Sequence, residues 1–276
     1  MMKHRGLNPV EYFFVMANYP ISKKKSDALP STETVSETSV NLLLGKKIRL
    51  SFTEEIRCVD CGKITKKSFS QGSCFNCFMK LASNDMCIMK PETCHFHMGT
   101  CREPEWGKEH CFKKHTVYIA NTSGVKIGIT KEDPPSKRWV DQGAMFAIPI
   151  LEVESRKQAG EIEIEYAKSI SDKTSWQKMV SSDSIDVDLH STKEKLFGLK
   201  NPKQIVATVK FDPGLEVIKI NYPILKYPKK AASYKLSKEK PIEDILVGIK
   251  GQYLLFENAV FNIRSHSGYY CEIDII

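Results

Sequence analysis

Eight of the nine cysteines fall between Cys58 and Cys111, and their spacing is that of metal ligands. Cys58-Val-Asp-Cys61 and Cys74-Phe-Asn-Cys77 form C-x2-C, twelve intervening residues, then C-x2-C. Two thiolates two residues apart on a tight turn face one ion, and a second such pair completes a tetrahedral four-sulfur site for Zn²⁺. Gly62 and Gly72 lie beside the two pairs, where such turns need a permissive backbone. With all four positions filled by protein, this ion is expected to be structural and to contribute directly to folding free energy.

A second set follows, comprising Cys87, Cys94, Cys101, Cys111 and His115, with His95, His97 and His110 nearby. Cys111 and His115 are four residues apart, which on a helix puts both on one face. Five candidates for four positions leave one spare. The expected set is Cys94, Cys101, Cys111 and His115, with Cys87 as competitor, giving two structural zinc ions in all.

These ligands must be positioned by a chain of 276 residues, enough for two or three compact units. Hydrophobic residues at 41% and charged residues at 27% are those of a globular protein with a real core. No apolar run approaches the roughly 20 residues that span a bilayer, so no membrane partner is expected. Tyr12 to Met16 is short, follows Glu11 and leads to no small-residue cleavage site. The clustered thiols therefore point to metal in a reducing, cytoplasmic compartment rather than to disulfides. The net charge of +8 is uneven: residues 117–190 hold nine basic against twelve acidic residues, and 191–276 fourteen against nine. Basic flanks of this kind suit a polyanion.

The pattern predicts an α+β protein in four stretches. Residues 1–40 read as an N-terminal segment, with a short helix near 10–16, and a flexible linker at 21–40 rich in Ser, Thr and Lys. Residues 41–115 read as two strands running into the zinc-binding region. Residues 116–200 form a small αβ core, and 201–276 a β-rich barrel or sandwich, to which strands from 41–57 could add. Within the core, residues 116–130 read as a hairpin of two short strands about the turn at 121–124. Pro134-Pro135 opens a helix through Arg138 and Trp139. Residues 145–153 read as a strand, and Ser155 caps a helix with Ala159, Ile162, Tyr166 and Ile170 on one face. Glu161 to Glu165 also alternates as a strand would. In the last stretch, Lys226, Lys229, Lys230, Lys235, Lys238 and Lys240, interleaved with Tyr227 and Tyr234, could contact phosphates and stack on bases.

Val117-Tyr118-Ile119, then Lys126-Ile127-Gly128, then a helix with Arg138 and a later helix with a glutamate resemble the core of GIY-YIG nucleases. The resemblance implies that Tyr118 and Arg138 face the scissile phosphate and that Glu163 holds one Mg²⁺ or Mn²⁺. Lys126 stands where that motif has its second-strand tyrosine and is read as a phosphate contact, together with Lys229 and Lys230. From about residue 41 onward the chain also resembles a bacterial family known mainly as a domain of unknown function. That likeness rests on residues 91–107, 138–144 and 171–176, on GIKGQYLLF at 248–256 and on FNIR at 261–264. Cleaving a phosphodiester requires an activated water, neutralised phosphoryl oxygens and help for the leaving group, which a carboxylate-held ion, an arginine and a phenol can supply. The expected function is thus a zinc-containing nucleic-acid-binding protein with metal-dependent phosphodiester cleavage. The alternatives are a binding module on the same scaffold without catalysis, and a zinc-stabilised adaptor for a protein partner.

Overall fold

Runs of alternating and β-branched residues dominate both ends of the chain, and most of them pair into antiparallel sheets. The computed structural model describes residues 2–17, 35–131, 136–170, 174–183, 187–198, 209–210, 216–236 and 240–276. In chain order, β1 (Met2–Arg5), β2 (Glu11–Ala17), β3 (Val35–Ser39) and β4 (Lys47–Ile56) come first. The cysteine-rich region holds only short helices: α1 (Phe75–Lys80), α2 (Met86–Met89) and α3 (Pro104–Cys111). Then come β5 (His115–Asn121), β6 (Val125–Thr130), α4 (Ser136–Asp141), β7 (Phe146–Val153) and α5 (Arg156–Ala167). They are followed by α6 (Trp176–Met179), α7 (Leu189–Gly198), β8 (Val209–Lys210) and β9 (Ile218–Lys219). The chain closes with β10 (Ile242–Lys250), β11 (Tyr253–Phe256), β12 (Val260–Asn262) and β13 (Tyr269–Ile275).

The chain is thus mixed α+β, and it divides into two compact units that do not follow chain order. The first joins residues 1–79 to 221–276, because β4 lies between β10 and β13 in a five-stranded sheet of order β12-β11-β10-β4-β13. Leu50 of β4 sits opposite Ile242 on one side and Ile273 on the other. The expected two strands within 41–57 are one long strand after a single 3-10 turn at Asn41–Leu43. Among the described residues this sheet is open, not a closed barrel: β12 and β13 are its edges and do not pair. The expected helix near residues 10–16 is instead β2, central in a β1-β2-β3 sheet. Its aromatic and β-branched run favours a strand, and Tyr12 is buried there. Of the linker expected at 21–40, residues 21–34 lie outside the described residues, while 35–39 pair with β2.

The second unit, residues 80–220, is built on a sheet of order β6-β5-β7-β8, with β9 also pairing β7. Here the hairpin, the strand at 146–153 and the Ser155-capped helix take their expected places. The Ser155 hydroxyl accepts the Gln158 N–H, and α5 buries Ala159, Ile162 and Tyr166. That face packs on Val117, Ile119, Ile148, Ile150 and Leu151 of the sheet, with Leu189 and Leu196 of α7. Residues 161–165 therefore follow the helical period rather than the strand period. No helix of the described residues is long and apolar enough to cross a membrane.

One contact inside this sheet is very tight. Tyr118 on β5 pairs with Gly128 on β6, and a Cβ at Gly128 would lie 2.6 Å from the phenol oxygen. Gly128→Ala should therefore push the ring out of its pocket at a cost of about 1–3 kcal/mol. Calorimetry would read this as a melting temperature several degrees lower, and an unchanged value would show that the ring is free to move.

Candidate functional site

The strand β4 delivers the chain into the first cysteine pair. Past it, the Cys58 N–H donates to the Lys63 carbonyl (2.9 Å) and the Cys74 N–H to the Cys58 sulfur (3.1 Å). Gly72 has φ +129°, and a Cβ there would meet Val59 at 2.5 Å, so glycine alone lets the two turns close together. Phe69 packs between Phe75 and Phe78 beneath the second pair, with ring centroids 5.7 and 5.8 Å away. The outcome is that the sulfurs of Cys58, Cys61, Cys74 and Cys77 all lie within 4.8 Å of one another. Cys61 and Cys74 are 3.9 Å apart. Tetrahedral Zn–S bonds of about 2.3 Å would put sulfurs about 3.8 Å apart, so the donor set can bind zinc with little adjustment. The thiols themselves conflict without a cation. A backbone N–H from Cys77 holds Cys74 down to about 7, while burial and the adjacent thiols push Cys77 up.

The later cysteines gather in the second unit. Cys87 on α2, Cys94, Cys101, and Cys111 at the end of α3 line one cavity of about 20 Å³, together with Asp85, His95, Arg102 and Trp106. His115 does not line it. The helical i, i+4 relation expected for Cys111 and His115 is broken because α3 ends at Cys111, and His115 begins β5. There the imidazole is fully buried, its Nδ1 lies 2.7 Å from the Lys113 carbonyl, and its Nε2 has no hydrogen-bond partner among the described residues. Burial pushes its pKa down to about 4. Cys87, the competitor in the sequence reading, stands where His115 was expected.

A third group sits where β5, α4 and α5 meet. Tyr118 is fully buried, and its hydroxyl donates to Gln142 Oε1 at 2.8 Å. Trp139 meets its ring edge-on at 5.9 Å. Arg138 from α4 and Glu163 from α5, both half-buried, act electrostatically on the phenol. Burial outweighs them and pushes Tyr118 up to about 12, so the phenol is a hydrogen-bond donor at neutral pH. The structure thus brings Tyr118, Arg138 and Glu163 together. It also adds two residues that motif spacing did not reveal, Gln142 and Arg156. The Arg156 Nη2 donates to the Ile88 carbonyl at 2.7 Å, and its guanidinium senses Glu163, Cys87 and Cys111. Only knowing how α4 and α5 pack could have exposed either one.

The basic residues are dispersed. Lys126 is half-buried on β6 opposite Ala120, in the second unit. Lys229 and Lys230 are exposed in the first unit. Lys226 there pairs with Glu257, and the Tyr227 hydroxyl accepts from Lys250 at 3.3 Å, so neither is a free phosphate or stacking group. Lys238 lies outside the described residues.

A family model described as "Protein of unknown function (DUF2797)" matches residues 45–271. The chain belongs to this family. The DUF2797 match takes in both cysteine groups and the Tyr118–Arg138–Glu163 group, as well as the motifs on which the likeness to a domain of unknown function was based. No curated protein and no solved structure matches the chain.

Two outcomes follow from this geometry. If the Cys58–Cys77 cluster takes zinc, Cys74→Ser should lower both metal content and thermal stability, checked by metal analysis beside a melting curve; metal content equal to wild type would contradict the assignment. His115 is held neutral by the fold, so stability is complete above pH 6.5. As pH falls from about 6.5 toward 4, the unfolded chain takes up a proton that the folded one refuses, and up to roughly 3 kcal/mol is lost. His115→Gln should flatten the acid limb of stability against pH, and an unchanged limb would assign it to other groups.

Proposed function

We propose that this chain binds nucleic acid and cleaves its phosphodiester backbone at the Tyr118–Arg138–Glu163 group, using Mg²⁺ or Mn²⁺ on a zinc-stabilised scaffold. The observation that carries this reading is convergence: three residues from three separate elements meet around one phenol. The order hairpin, helix, strand, helix across β5, β6, α4, β7 and α5 supports the likeness to a GIY-YIG-like nuclease core. In this reading the Glu163 carboxylate holds the divalent ion, which would activate water and neutralise phosphoryl charge. Arg138 stabilises the charge that grows on the phosphoryl oxygens. Tyr118 keeps its proton and, oriented by Gln142, acts as a positioning donor rather than a base. Lys126, Lys229 and Lys230 contact backbone phosphates. The nine cysteines form no disulfide among the described residues, in keeping with a reducing, cytoplasmic setting.

A second reading has one observation in its favour. Met86, Met89, Met98 and Phe112 are all more than half exposed in the cysteine-rich part of the second unit. Such adaptable apolar groups suit a protein partner, as an adaptor would require.

The deciding assay presents single- and double-stranded DNA and RNA with Mg²⁺ or Mn²⁺. Wild type should cut, while Glu163→Ala and Arg138→Ala should each lose about a hundredfold or more. Binding should weaken steeply with salt as counterions are released. Salt-sensitive binding without any cutting would make the chain a non-catalytic binder, and absence of both would favour the adaptor.

A further inference from the structure

The segment from residue 80 to 114 has almost nothing apolar to hold it. Within it only Ala82, Pro91 and Gly107 are buried, and it contains no strand. Met86, Met89, Met98 and Phe112 face outward. So small a core cannot order a segment of this length, and natural chains in this position rely on a cross-link or a metal. Four thiols of this segment line a common cavity. Cys87, Cys94, Cys101 and Cys111 approach from different turns and line one cavity of about 20 Å³, room for a single atom-sized occupant.

We infer that Cys87, Cys94, Cys101 and Cys111 form a second four-thiolate zinc site, whose ion holds residues 80–114 together and fixes them against α5. The competing donors are engaged elsewhere. Asp85 and His95 each bring a donor atom within 4.8 Å of the Cys87 sulfur and of each other. Yet Asp85 accepts from Arg102 Nε at 2.7 Å and caps α2 through the Cys87 N–H at 3.4 Å. His95 Nε2 is 3.5 Å from that carboxylate, and its Nδ1 is 2.7 Å from the Thr100 hydroxyl. This network pairs the Asp85 carboxylate with Arg102 and orients the loop around the site, the role outer groups play at metal centres. Thiolates are also the softer donors that zinc retains in structural sites. His115 is withdrawn into the start of β5.

The same segment is clamped to α5. A Cβ on Gly160 would lie 2.6 Å from Pro91 Cβ, so the 3-10 turn at Pro91–Thr93 lies directly on the helix. Arg156, one turn earlier, donates to the Ile88 carbonyl and places its positive charge near Cys87 and Cys111. A zinc with four thiolates carries a net charge of −2, half of which this guanidinium offsets. The inference stands apart from phosphodiester cleavage, because its readout is metal and not activity.

The test is zinc content per chain in the full-length protein, with the visible spectrum after Co²⁺ replacement. Wild type should carry two zinc ions and show sulfur-only Co²⁺ coordination at both sites. Cys101→Ser should carry one, whereas His95→Gln and His115→Gln should each keep two. Loss of an ion in either histidine variant, a nitrogen ligand in the Co²⁺ spectrum, or a single zinc in wild type would overturn the site. Should Cys101→Ser fail to fold, the histidine variants and the wild-type spectrum still decide it.

Discussion

Four sulfur atoms within 4.8 Å of one another cannot all carry charge unless a cation lies among them, and the first unit is arranged around that constraint. The turns that bring Cys58, Cys61, Cys74 and Cys77 together bury little apolar surface of their own. What they have instead is a firm mount. Cys58 follows directly from β4, which is hydrogen-bonded to a strand on each side. Ser68 and Gln71, in the loop between the pairs, are held by Ser267 and Arg264 just ahead of β13. The cysteine turns therefore sit at the end of a sheet whose strands come from both ends of the chain.

The second unit follows a similar logic with a different mount. Its rigid body is the sheet centred on β5, backed by α5 and α7. From it hang the sparsely packed cysteine segment on one side of α5 and the Tyr118 group where β5, α4 and α5 meet. The two groups share a neighbour in Arg156, which senses Glu163 as well as Cys87 and Cys111. Helix α5 thus carries a candidate metal carboxylate and also receives the cysteine segment, so the order of that segment and the placement of Glu163 depend on one element.

Burial explains the chemistry available at Tyr118. A phenol out of water is costly to ionise, and that cost outweighs the pull of Arg138, which favours the ionised form while Glu163 opposes it. Its proton is directed at Gln142, a residue that sits one turn beyond Arg138 and shares its helical face. The site is therefore built to hold a neutral hydroxyl in a fixed orientation, with charge supplied by Arg138 and the carboxylate of Glu163.

Much of this was legible in the residues alone. The C-x2-C pairs determined the first cluster, because ligand spacing within a turn is a local property. The 121–124 turn, the Ser155 cap and the period of α5 were also readable, for the same local reason. Other features depended on partners distant in sequence. Residues 10–16 became a strand because β1 and β3 lie on either side of it, and β4 joined C-terminal strands nearly two hundred residues away. In place of the expected barrel or sandwich, the described residues form one open sheet with β12 and β13 as its edges, and its middle strand β4 comes from outside the C-terminal stretch. The exchange of His115 for Cys87 shows the division most clearly. Composition supplied five candidate ligands, but only the end of α3 and the pull of the β5 core decided which side chains could face one cavity. Local spacing sets what a turn can bind, while packing between distant segments sets which turns meet.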